Sequence, residues 1–132
     1  MGFFNNLFGG AKDLNKVANA VKMVKSILNT VEYEPDDMAY LFAAWICRVG
    51  IIDIVEKNNW PMTYKVTVID KGAVSTMTLF ETHAMTIGRL TAKVEEIDDD
   101  EIKDAVDDIL KKGDMFYTVN NKVPEDTKKI FK

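Results

Sequence analysis

Ten consecutive apolar residues, Met38 to Cys47, lie within a stretch from Asp36 to Asn59 that reads DDMAYLFAAWICRVGIIDIVEKNN. A helix advances by about 100° per residue, so such a run puts apolar groups on every side. The pattern predicts a central helix over about 36–58 that other elements must surround. Its length is close to the roughly 20 apolar residues of a membrane span. Arg48 near its middle and Asp53 beyond oppose that reading, at about 2.5–3.5 kcal/mol each on insertion scales. Pro35 before Asp36 and Asp37 marks the capped start of a soluble helix. A buried core helix is therefore expected.

Upstream, Leu7, Leu14, Val21 and Leu28 recur every seven residues, and Val17, Val24 and Val31 lie three after the later members. This is one apolar stripe at helical spacing along an arm of residues 1–31. Gly9–Gly10 is expected to interrupt it and set Phe3, Phe4, Leu7 and Phe8 apart as a separate turn. Two uses of the stripe stay open. It packs on the central helix as ordinary core, or it presents an interface to a protein or a membrane surface.

Downstream, Trp60–Pro61 breaks the helix. Met62, Tyr64, Val66 and Val68 alternate with polar residues as in a strand with one buried face. Asp70–Lys71–Gly72 is a turn candidate. The threonine-rich AVSTMTLF suits a second hairpin strand. Met77, Phe80, Ala84, Ile87, Thr91 and Val94 nevertheless fall at intervals of three and four, and the favoured reading is a helix over about 75–96. Residues 98–113 form the clearest helix: Asp98 and Glu101 in capping-box spacing, Ile102, Ala105, Val106, Ile109 and Leu110 inside, and Gly113 closing it in the left-handed conformation. Met115, Tyr117 and Val119 suggest a short strand pairing with 62–69, and Pro124 opens a last short helix. The expected fold is mainly α with minor β, four principal helices around the central one and a small two-stranded element, in a single domain.

Charge adds one asymmetry. The chain carries −4 over 132 residues. Residues 1–31 hold Lys12, Lys16, Lys22 and Lys25 against Asp13 alone, so a basic arm joins an acidic body. That balance excludes a general trap for nucleic acid. A single cysteine excludes an intrachain disulfide, no secretory signal is recognisable, and Gly2 lacks the Ser or Thr at position 6 that myristoylation requires. A reducing, cytoplasmic setting is expected, with the inner face of a membrane as the variant.

Candidate chemistry is sparse. Asp98–Asp99–Asp100–Glu101 resembles a calcium loop only in charge, since its sixth and twelfth positions hold Lys103 and Ile109. Asp104 and Asp108 lie four apart beside lysines, as on a solvated face. Cys47 and His83 cannot complete a zinc site, and a thiol in the most apolar stretch is expected to be inert. No phosphate-cradling loop or nucleophile elbow occurs, so no metal, cofactor or catalytic residue is expected. Arg48 stands out, because a buried guanidinium requires a carboxylate, carbonyls or an anionic ligand. Its neighbours four residues away are Ala44 and Ile52, so the partner is expected from elsewhere in the chain or from a ligand, with Tyr40 or His83 near it. The expected role is a non-enzymatic interaction module that self-associates as a homo-oligomer or docks on a protein partner, with Phe3, Phe4, Leu7, Phe8, Lys12 and Lys16 on its interaction face. The alternatives are a peripheral membrane protein and a binder of small anionic ligands through Arg48.

Overall fold

The structure, a computed structural model, describes the backbone of residues 2–29 and 35–132. Side chains are described from Lys12 onward within those stretches, so Val31 and the side chains of Phe3, Phe4, Leu7 and Phe8 lie outside the described residues. The chain forms α1 (Gly2–Leu28), α2 (Asp37–Asn58), β1 (Lys65–Asp70), β2 (Ala73–Thr78), then α3 in the segments Leu79–His83, Ala84–Gly88 and Arg89–Lys93. It continues with α4 (Asp100–Leu110), α5 (Met115–Asn120) and α6 (Glu125–Ile130). It is mainly helical with a two-stranded antiparallel sheet, as the apolar pattern predicts.

The central helix is α2. Asp36 caps it, Oδ1 accepting from the Ala39 N–H at 2.8 Å, and Asn59 ends it in the left-handed conformation. By length and composition α2 could cross a membrane, but 61% of its most apolar window is buried inside the domain. Helices α1, α3, α4 and α5 all pack on it, and Tyr40, Leu41 and Ala43 to Cys47 are buried among them. Midway, residues Arg48–Ile52 widen into a π-helical turn. Gly50 sits in that turn, and a Cβ there would lie 2.5 Å from Ala20 Cβ and 2.8 Å from the Phe131 ring. The absent side chain is what lets α1 and the C-terminal segment close on α2.

Along α1 the stripe serves the protein's own core over the described side chains: Val17, Ala20, Val21, Val24 and Leu28 are buried. The expected break at Gly9–Gly10 does not occur, and the helix runs through both glycines. Glycine in a helix costs about 1 kcal/mol relative to alanine, which weakens a helix without ending it.

The hairpin corrects the reading of residues 75–80. Strand β1 pairs with β2 from Lys65↔Thr78 to Asp70↔Ala73, turning through Lys71 (φ 52°) and Gly72 (φ 82°). Both turn residues have positive φ, the type I′ geometry suited to a two-residue hairpin. Helix α3 begins only at Leu79, where Thr78 and Glu81 form a reciprocal capping box. Its inner face is Leu79, Thr82, Thr86, Ile87 and Leu90, continued by Val94 in the 3-10 turn that follows, while Phe80, expected inward from spacing, is 67% exposed. A second π turn, Ala84–Gly88, shifts the register of the seam, which constant helical spacing cannot anticipate.

At the C-terminal end three details differ from expectation. The α4 cap is Asp99 rather than Asp98, its Oδ1 accepting from Glu101 and Ile102 N–H at 2.9 and 3.2 Å. Lys112 (φ 63°), not Gly113, takes the left-handed position, and the Gly113 N–H bonds Asp108 O at 2.8 Å to complete a Schellman closure. Residues 115–119 are helical rather than a strand, because Asp108 Oδ2 accepts from the Met115 N–H at 2.7 Å and starts α5. Pro124 opens α6 as expected.

Asp99→Ala should therefore cost about 1 kcal/mol in chemical denaturation, while Asp98→Ala stays near the parent. Gly50→Ala should cost about 1–3 kcal/mol through overpacking. An unchanged melting curve for Gly50→Ala would show that the helix crossing has slack.

Candidate functional site

Arg48 is 6% exposed, and its charge is met at three points. Nη2 lies 2.9 Å from Asp53 Oδ1 and 3.6 Å from Glu56 Oε2. Nη1 donates to Leu110 O at 3.1 Å, at the end of α4. Nε is buried without a hydrogen-bond partner. The expectation that the partner carboxylate lies off the helix is corrected: Asp53 and Glu56 belong to α2 itself. In a regular α-helix a residue five positions on lies about 140° around the axis. The π turn removes much of that offset, and the Asp53 N–H bonds Arg48 O across it. The same widening thus joins these two residues through backbone and side chain. Lys112 Nζ, 3.8 Å from Asp53 Oδ1, adds a second cation. The cluster balances two positive and two negative groups from this chain's own side chains.

The two suggested companions of Arg48, Tyr40 and His83, line recesses whose walls do not include Arg48. The Tyr40 hydroxyl donates to Glu96 Oε2 at 3.4 Å, beside a polar recess of about 720 Å³ lined also by Asp36, Asp37, Lys93 and Asp98. His83 is exposed at the rim of a different cleft, of about 240 Å³, walled by Ile51, Ile52, Val55, Leu79 and Ile87. Cys47 is fully buried, and burial pushes its thiol up to about 12, which denies it thiolate character near neutral pH. Among the described residues no three metal-ligating side chains converge. Of the acidic run, Asp99 serves as a helix cap; Asp108, further along α4, caps the next helix.

The arm contributes one residue that the sequence reading passed over. Asp13 is 5% exposed and accepts from Asn58 Nδ2 at 2.8 Å, with Lys57 Nζ at 3.7 Å and Lys16 Nζ at 3.8 Å. Its signal was present: Asp13 precedes Val17, Ala20, Val24 and Leu28 at intervals of three and four, on the apolar stripe itself. Here the last turn of α2 reaches α1. The α1 backbone continues from Lys12 to Gly2, eleven residues or about 16 Å at 1.5 Å each, on the N-terminal side of that junction. Of the proposed docking residues with described side chains, Lys12 is exposed, and Lys16 is mostly covered beside Asp13.

No family model matches the chain, and no similar curated protein or solved structure was found.

Arg48→Ala should destabilise the fold by about 1–3 kcal/mol, because the Leu110 carbonyl loses its donor and Asp53 keeps only the longer contact to Lys112. Equilibrium denaturation measures this, and a loss below 1 kcal/mol would place Arg48 among ordinary surface pairs.

Proposed function

We propose that the protein is a non-enzymatic interaction module that docks through the N-terminal end of α1 on a protein surface, either a second copy or a different partner. The observation that carries this reading is the continuation of α1 for eleven residues past its junction with α2 at Asp13. That segment contains Phe3, Phe4, Leu7 and Phe8, and ends at Lys12. Three phenylalanines contribute about 5–9 kcal/mol when fully buried, at about 1.5–3 each.

The reactive side chains support a binding role over catalysis. The Cys47 thiol is buried and held at about 12, and Arg48 is neutralised by carboxylates of its own helix. A lipid surface is the second reading, favoured by the aromatic and basic character of the same segment.

Deleting residues 1–10 should leave a folded domain with nearly parental thermal stability that has lost the association made through α1, with a second copy or with a partner. Light scattering on a sizing column measures the first, and vesicle sedimentation isolates the lipid reading. If the truncated chain unfolds, while the full chain stays monomeric and ignores vesicles, the segment is internal core and the proposal fails.

A further inference from the structure

Among the described residues the sheet has two strands, and β2 is the less covered of them. Ala73 to Thr76 are all exposed, Val74 at 65%, and its cross-strand partner Ile69 is 55% exposed on the same face. Natural edge strands are commonly blunted by lysine, proline or a bulge. Strand β2, Ala-Val-Ser-Thr-Met-Thr, has no charge and no proline, and its pairing with β1 runs without a bulge.

The turn fixes which backbone groups are free. Asp70 and Ala73 flank the two-residue loop, so they form the hydrogen-bonded pair that closes it. Pair type alternates along an antiparallel ladder. The N–H and C=O groups of Val74 and Thr76 therefore point away from β1, and neither residue bonds other backbone among the described residues. Thr78 is next in that series, but its N–H is committed to Glu81 Oε1 at 3.4 Å.

We propose that β2 pairs antiparallel with β2 of a second copy, about a two-fold axis through Ser75, to make a four-stranded sheet across a homodimer. In this register Val74 of each copy faces Thr76 of the other, and Ser75 faces Ser75. All four free groups of each strand are satisfied, no charged side chains are opposed, and both copies keep the same face outward. Ile69 and Val74 then join Thr76 and Thr67 of the other copy in one continuous row. A foreign peptide fits the edge less well. Peptide-binding edges gain specificity from pockets for alternate side chains, and none of the five principal cavities takes a wall from Ala73–Thr78.

Sedimentation equilibrium of the full chain tests this. The parent should be a dimer. Thr76→Pro removes one outward N–H, as an edge position tolerates, and should give a monomer with the parent's far-ultraviolet circular dichroism. Val74→Lys, which keeps every backbone group, should also give a monomer. Ser75→Cys should form an intermolecular disulfide on mild oxidation, because opposed residues of a non-hydrogen-bonded pair lie about 4.5 Å apart, within the span of a disulfide. Thr67→Cys, on the inner strand, should not cross-link, and the native Cys47 is buried. Retention of the cross-link after removal of residues 1–10 would separate this contact from docking by α1. A monomeric parent overturns the proposal. So does a dimer that survives both Thr76→Pro and Val74→Lys, or a Ser75→Cys chain that stays uncoupled.

Discussion

One cation in the middle of the central helix constrains much of the rest. Moving a guanidinium from water to the interior costs several kcal/mol unless its charge and hydrogen-bond donors are met. Arg48 is nearly buried, and the chain answers with a π turn that brings Asp53 to it and a helix end that offers the Leu110 carbonyl. The same turn contains Gly50, where α1 passes at Ala20 and Phe131 closes from the C-terminus. Charge satisfaction and helix crossing therefore share five residues. A change that restored regular α-helical geometry there would displace Asp53 and alter the α1 contact together.

Polar groups at other junctions work similarly. Asp13 binds the end of α2 to α1 through Asn58, Asp108 starts α5, and the Trp45 indole N–H donates to Asn120 Oδ1 at 3.1 Å to hold α5 on the central helix. Each joins elements distant in sequence or turns the chain between them. Much of the polar chemistry of this acidic body is thereby spent on architecture. The surfaces argued to dock are peripheral: the N-terminal end of α1 and the open edge of β2.

The readable features were those set by local pattern. The unbroken apolar run, the Asp36 cap, the first strand from Lys65 onward with its turn, and Pro124 all express short-range rules that the fold obeys. Met62 and Tyr64, expected on the buried face, instead lie exposed ahead of that strand. The failures arose where local pattern was degenerate or tertiary contacts decided. Residues 73–78 satisfy both a helix seam and an edge strand, and the Thr78–Glu81 capping box, three apart as TLFE, decides where the helix starts. Three consecutive aspartates left the cap of α4 ambiguous by one residue. Met115 to Val119 alternate as a strand does, but a carboxylate from α4 turns them into a helix. A π turn adds a residue without a strong local signature, so neither the Arg48–Asp53 pairing nor the shifted seam of α3 follows from constant spacing. Of the docking residues, Lys16 shows how an apparently free lysine can be drawn to a buried acid at longer range than a tight ion pair.

Symmetry limits how the two proposed contacts can coexist. Pairing of β2 with itself is isologous: one two-fold axis uses both edges and closes the dimer. If α1 docked head-to-tail on an unrelated surface of a further copy, dimers would link into an open chain. Closure is kept when α1 reaches its own dimer mate, meets α1 of another copy about a second two-fold axis in a closed assembly, or docks on a different protein. Concentration series distinguish these geometries, since closed assemblies plateau in mass and open chains keep growing. A finite plateau that shifts only when the β2 edge is blocked would leave α1 free for a different protein. That arrangement gives the basic arm and the neutral edge separate tasks.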